Sequence, residues 1–401
     1  MKTNTPLKII LVIIAALAIV ALFGHLNNLW SRVTDDQKQA EQNEKTDQQT
    51  NPQQTNQQTT DNSKQTPTDR AQQILNSMSL EEKVGQMFIV RCPKENAVAD
   101  VSKYHLGGYI LFSRDFKGKT REQVEATIQS YQDAAPIDML VGVDEEGGSI
   151  NRISLYKQFR AVPFWSPQDL YAEGGWDLIV SDSKEKADLL KSLGVNLNLA
   201  PVCDVARAET DYIYARSFGT DANLTCEYVT KVVNTMNQEQ IGCVLKHFPG
   251  YGNNADTHTG IAYDNRDYQT FVKCDFLPFA AGIEAGAGAV LVSHNIVTCM
   301  DADKPASLSP KVHQILRQQL GFTGVIISDD LYMDAIKQYT GETQAAVLAV
   351  EAGNDLVCCT DYQTQIPSVI AAVKDGTISE DTINQAVLRI LNWKLKLGII
   401  E

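Results

Sequence analysis

Two short segments of this 401-residue chain hold residue types that make and break bonds. Asp256-Thr257-His258 follows Gly252, Asn253 and Asn254, and an Asp two positions from a His can hold one ring nitrogen and leave the other for proton transfer. A lone His in a loop is more often an ordinary surface residue, so this pair alone assigns no chemistry. Asp329 follows the apolar run Val325–Ile327, where a carboxylate serves as a nucleophile, a metal ligand or a cap for the next helix. No second carboxylate cluster accompanies it to form a hard-cation cage, so neither a metal nor a cofactor is expected.

These residues need elements to position them. Apolar, strand-like runs occur at Met87–Val90, Gly108–Phe112, Met139–Val143, Val195–Leu199, Gly242–Leu245, Ala289–Val292, Val325–Ile327 and Asp355–Cys358. Helical stretches lie between them at Arg121–Gln132, Ser183–Leu193, Leu224–Gln240, Tyr268–Ala285, Pro310–Leu320 and Glu342–Gly353. Ser79 and Glu82 form a capping box that opens a short helix, and Ile383–Leu397 reads as a closing helix. Eight βα repeats over residues 69–401 predict an α/β fold, a single (β/α)8 TIM-type barrel; a doubly wound open sheet is the alternative. A barrel places its reactive residues just after its strands. Polar residues stand at five consecutive strand ends here: Asp144-Glu145-Glu146, Asp204, Lys246-His247, Ser293-His294-Asn295 and Ser328-Asp329-Asp330. Each alone has a plain reading as a cap or ion pair, but together they imply convergence on a ligand.

The first 68 residues differ in texture. Ile9–Phe23 is a continuous apolar run preceded by Lys2 and Lys8, the order of an export signal. Its fifteen residues reach across a membrane only with help from Gly24, Leu26, Leu29 and Trp30, so residues 1–30 are expected to be a membrane anchor, with a cleaved signal as the alternative. Residues 31–68 contain ten Gln and only Val33 and Ala40 as apolar side chains, which predicts a disordered tether. The formal charge of −14 falls entirely on residues 69–401 and disfavours nucleic acid as a partner. Eight scattered cysteines form no C-x-x-C pair; an extracellular domain leaves one or two disulfides open.

The strand-end residues also carry a resemblance. From Asp69 to Glu401 the chain resembles the barrel domain of family 3 glycoside hydrolases, and within it the bacterial β-N-acetylglucosaminidase branch. The resemblance rests on Met78–Met87, on Asp144-Glu145-Glu146-Gly147-Gly148 with Ile150 and Arg152, and on Arg216-Ser217-Phe218-Gly219. Lys246-His247-Phe248-Pro249-Gly250 and Ser328-Asp329-Asp330-Leu331 with Met333 complete it. It implies that Asp329 is the nucleophile of a retaining hydrolase, with His258, oriented by Asp256, as general acid and base. It further implies that Asp144, Arg152, Arg216, Lys246 and His247 bind the terminal sugar, with His294 as a further candidate. The expected substrate is a GlcNAc-containing oligosaccharide or muropeptide, cleaved at the outer face of the membrane to which residues 7–30 attach the chain. A β-glucosidase or β-glycoside phosphorylase of the same family and an inactive wall-glycan-binding module are the rival readings.

The chain departs from the family pattern in places. Tyr251 stands where a second His is usual, three residues rather than four separate Gly252 from the Asp-Thr-His element, and Thr257 replaces a commoner Ser. Ser149 occupies a position where a basic residue is frequent.

Overall fold

The computed structural model describes residues 67–254, 260–340 and 344–401. The proposed anchor at 1–30, nearly all of the tether and the Asp256–His258 pair lie outside the described residues. Among the described residues no helix is long and apolar enough to cross a membrane. The helix Pro67–Ser77 takes in residues 67 and 68, the last two of the expected tether.

Eight parallel strands form one sheet: β1 (Phe88–Arg91), β2 (Gly108–Leu111), β3 (Leu140–Val143), β4 (Leu197–Asn198), β5 (Gly242–Phe248), β6 (Ala289–Val292), β7 (Val325–Ser328) and β8 (Val357–Cys358). Each pairs with its neighbour in sequence, and β8 returns to β1 with Phe88 opposite Val357 and Ile89 opposite Cys358. Ile327 bridges to Leu356, and the Leu356 N–H donates to the Ile326 carbonyl at 3.0 Å, which joins β7 to β8 and closes the cylinder. The barrel, not the open sheet, is therefore the fold.

The strands are apolar and β-branched because both faces are covered. All four residues of β2, β3, β6 and β7 are buried. Close strand packing explains Gly108, where a Cβ would lie 2.5 Å from the Leu140 carbonyl oxygen. The outer helices are capped as their sequences indicate. Ser79 accepts from the Glu82 N–H and Glu82 returns the bond at 2.7 Å. Ser379 opens the closing helix Glu380–Lys396, whose Ile383, Val387, Ile390 and Leu391 form one buried stripe.

The helix after the third strand begins at Pro167, well before the expected Ser183, and runs to Lys191. Ser166 caps it and Pro167 takes its first turn. Gly174 and Gly175 leave helical geometry, with φ near +60° at Gly175, so the span is two helical segments joined at a kink. All eight cysteines carry free thiols, and most are buried within the barrel.

Candidate active site

Asp144 is the first residue beyond β3, and the chain must reverse at once to keep it at the barrel mouth. Gly147 and Gly148 make that turn with φ of +102° and +60°. A Cβ on Gly147 would sit 2.2 Å from the Trp165 carbonyl oxygen, so only glycine fits. The buried Glu145 carboxylate accepts from the backbone N–H groups of Arg152, Ile153 and Ser154 at 2.8, 2.8 and 3.1 Å. This staples the loop back on itself and brings Arg152 Nη2 to 3.4 Å from Asp144 Oδ2.

β5 carries Lys246 and His247 near its end. Lys246 Nζ lies 2.7 Å from Asp144 Oδ1 and 2.7 Å from Glu146 Oε1. Arg216 grips Glu146 through two nitrogens at 2.8 and 3.0 Å. Burial alone would push the Glu146 carboxyl up, but Lys246 and Arg216 outweigh it and hold the group well below the carboxylate range. Burial likewise opposes the Lys246 charge, and Asp144 and Glu146 overcome it and raise the ammonium above the ordinary lysine value. Both groups stay charged at neutral pH.

His247 is fixed by Asp204, from the loop that follows β4. Asp204 Oδ2 accepts from His247 Nδ1 at 2.7 Å, and Oδ1 accepts from the Tyr251 backbone at 2.7 Å. Arg216 Nη2 lies 3.3 Å from His247 Nε2. A guanidinium only donates and a carboxylate only accepts, so this arrangement selects the tautomer with its proton on Nδ1. Tyr251 packs edge-on against the imidazole, with centroids 5.2 Å apart.

Just beyond β7, Asp330 lines the cavity and accepts from the Thr360 N–H and hydroxyl at 3.0 and 2.5 Å. His294 departs from its expected place. It is fully buried and outside the cavity lining; Nδ1 meets the Ser307 hydroxyl at 2.7 Å, and Nε2 donates to the Asp330 carbonyl at 3.0 Å. It supports the Asp329-Asp330 turn from behind.

These elements enclose a cavity of about 390 Å³ at the C-terminal mouth of the barrel. Asp329, Asp144, Arg152, Arg216, Lys246 and His247 all line it. Glu146 and Arg91 join them, while Tyr212 and Tyr332 contribute half-exposed rings at the rim. The lining thus combines hydroxyl-binding donors and acceptors with an aromatic edge and a carboxylate on a separate strand. Such a set binds a polyhydroxylated ring and presents an anion to it.

The loop after β5 has its two ends tied together. Arg266 donates to Asp264 at 2.7 Å, to Asp275 at 2.8 Å and to the Gly250 carbonyl at 3.0 Å. Asp264 also accepts from Asn254 at 2.5 Å. Residues 250–254 on one side and 264–266 on the other therefore share one guanidinium. Burial pushes the Asp275 carboxyl up to about 6 despite Arg266.

Comparison with known proteins agrees with this geometry. The family profile described as "Glycosyl hydrolase family 3 N terminal domain" matches residues 79–393. The chain belongs to glycoside hydrolase family 3. A "Beta-hexosaminidase" of Xanthomonas campestris pv. campestris is 35% identical over 299 residues, covering 73% of this chain and 87% of the relative. One from Xylella fastidiosa is 32% identical over 279 residues, covering 68% and 82%. Among solved structures, a family 3 β-N-acetylglucosaminidase from Paenibacillus sp. str. FPU-7 superposes with a TM-score of 0.75 at 28% identity, covering 80% of this chain and 63% of that one. A β-N-acetylhexosaminidase from Beutenbergia cavernae gives 0.69 at 26% identity, covering 79% and 98%.

This family 3 chain is an enzyme acting on glycosides. Three of its site residues escaped assignment from sequence. Glu146 lies inside the quoted Asp144–Gly148 motif, and its service to two cations becomes visible only when β3, the Arg216 loop and β5 are assembled. Asp204 was noted as a strand end, without a partner. Arg91 closes an apolar strand and reads as an ordinary terminal charge.

Proposed function

We propose that the chain is a retaining, exo-acting β-N-acetylglucosaminidase that releases terminal β-linked GlcNAc from cell-wall-derived glycans. The observation that carries this reading is the shared cavity: Asp329 lines the same recess as Asp144, Arg152, Arg216, Lys246 and His247. The activities named for the hexosaminidase and acetylglucosaminidase relatives support the choice of sugar.

In this reading Lys246, Arg152 and Asp144 hold the sugar hydroxyls in register, and Arg216 and Glu146 keep Lys246 in place. The Asp329 carboxylate attacks the anomeric carbon as the bond to the leaving oxygen breaks, forming a glycosyl ester. His258, oriented by Asp256, gives its proton to the leaving oxygen. It then takes a proton from the water that hydrolyses the ester, which restores the carboxylate and leaves the sugar with its β configuration. The apolar run at 9–23, outside the described residues, anchors the barrel at the outer face of the membrane, and residues 31–66 form the tether.

The test is incubation with nitrophenyl β-N-acetylglucosaminide and β-glucoside side by side, with and without inorganic phosphate. The proposal expects free GlcNAc from the first substrate at a rate independent of phosphate. Preference for the glucoside, or release of sugar phosphate, overturns it.

A further inference from the structure

A second recess of about 550 Å³ opens beside the catalytic cavity, on the side where β8 meets β1. The two share Arg91 and Thr360, so they are contiguous. Three of the second recess's lining residues, Arg91, Lys94 and Arg114, are cations, and none is acidic. That is unusual on a body that carries the whole −14 of the chain.

The cations are only partly neutralised. Arg114 Nη2 donates to the Cys92 carbonyl, and its Nε lies 3.5 Å from Asp115. Asp115 also accepts from the Phe112 backbone at 2.8 Å, so it serves two groups. Lys94 is exposed at the rim. The Arg91 guanidinium sits over Phe112, 4.4 Å from the ring centroid, with its Nε buried and lacking a hydrogen-bond acceptor. Arg152 approaches the same ring at 5.5 Å, so Phe112 links the sugar-binding arginine to the one facing the recess.

The barrel order indicates which part of a substrate reaches this recess. If Asp329 on β7 attacks the anomeric carbon while residues from β3 to β5 hold the other hydroxyls, the reducing side of the sugar faces β7. The next strands around the barrel are β8 and β1, which carry the recess.

We propose that Arg91, Lys94 and Arg114 form a subsite for an anionic substituent, a carboxylate, on the part of the glycoside beyond the terminal sugar. The subsite rests on the nucleophile reading above. A planar carboxylate matches the donors of Arg91 and Arg114, and Lys94 adds charge at the opening. The enzyme thereby distinguishes acidic from neutral leaving portions.

The experiment compares 4-nitrophenyl and 3-carboxy-4-nitrophenyl β-N-acetylglucosaminides with wild type, Lys94→Glu and Arg91→Gln. Wild type should favour the carboxylated substrate in kcat/KM by roughly three- to tenfold, and the advantage should shrink as salt rises. Lys94→Glu should abolish or reverse the preference while leaving the neutral substrate within about twofold, since this side chain lines only the outer recess. Arg91→Gln should also erase it. Equal rates on the two substrates in wild type, or a preference that survives both substitutions, overturn the subsite.

Calorimetric titration of Asp329→Asn with the same two glycosides separates this failure from that of the activity reading. If neither substrate is turned over by wild type, the hexosaminidase reading fails. Tighter binding of the carboxylated compound, lost in Lys94→Glu, would still support the subsite, and equal or absent binding would overturn it. Inorganic phosphate is the control for a free anion as the occupant. Phosphate that raises turnover and appears in a sugar phosphate overturns the assignment to a glycoside substituent.

Discussion

The buried ammonium of Lys246 lies 2.7 Å from Glu146, and Glu146 in turn takes two bonds from Arg216. One carboxylate therefore bridges two cations, Lys246 on β5 and Arg216 from the loop beyond β4, and its loss leaves Arg216 without its carboxylate and Lys246 with Asp144 alone. Glu146→Ala should destabilise the fold by roughly 3–5 kcal/mol, the scale for breaking a buried ion pair by removing one partner. Chemical denaturation of the two proteins measures it. The conservative Glu146→Gln should lose less stability and still raise KM, because Lys246 then turns wholly towards Asp144.

His258→Ala should slow turnover of substrates with poor leaving groups by ~10²- to 10⁴-fold, the usual worth of a general acid, and spare those whose leaving oxygen needs no proton. Parental rates on an alkyl glycoside would show that another group supplies the proton.

Arg266 binds the described segments on both sides of residues 255–259, which contain the proposed acid. Arg266→Gln should therefore imitate His258→Ala in pattern, with a larger loss on alkyl than on dinitrophenyl glycosides. The double substitution should lose little more than His258→Ala alone. A uniform loss on both substrates would mark Arg266 as merely structural.

Lys394, fully buried on the closing helix, donates to Gln86 at 2.8 Å and to the Asp138 carbonyl at 2.7 Å. Burial pushes its ammonium down to about 7, against the pull of Asp138. The unfolded chain, with an ordinary lysine near ~10.4, then binds more protons than the folded one between about pH 7 and 10. Stability contributed by this residue is complete above the unfolded value and lost as pH falls towards 7, by at most ~1.4 kcal/mol per pH unit. Relative to Lys394→Met, wild type should gain stability from pH 7 to pH 10, as read by urea denaturation. A constant difference across that range would refute the shift.

Much of this was legible before the coordinates. Seven of the eight strands begin and end within two residues of their apolar runs, and β5 extends three residues further, to Phe248. Continuous apolar runs bounded by polar residues are what a doubly covered parallel sheet requires. The expected helix from Ser183 falls in the second of two helical segments; the first, from Pro167, ends at the Gly174-Gly175 kink. The site residues followed from strand ends, but partnership did not. The resemblance offers His294 only as a further candidate, and its ring meets the Ser307 hydroxyl and the Asp330 carbonyl, partners that no local pattern announces. Glu146 and Asp204 matter through pairings across 43 to 100 residues, which no local pattern encodes.

The account depends most on a covalent bond from the sugar to Asp329. Incubation with a 5-fluoro-N-acetylglucosaminyl fluoride, whose good leaving group speeds formation of the ester and whose ring fluorine slows its hydrolysis, followed by peptide mass spectrometry, tests this directly. The expected result is one added glycosyl mass on the peptide containing Asp329, absent in Asp329→Asn. Turnover of that reagent with no adduct, or an adduct on another residue, would contradict it.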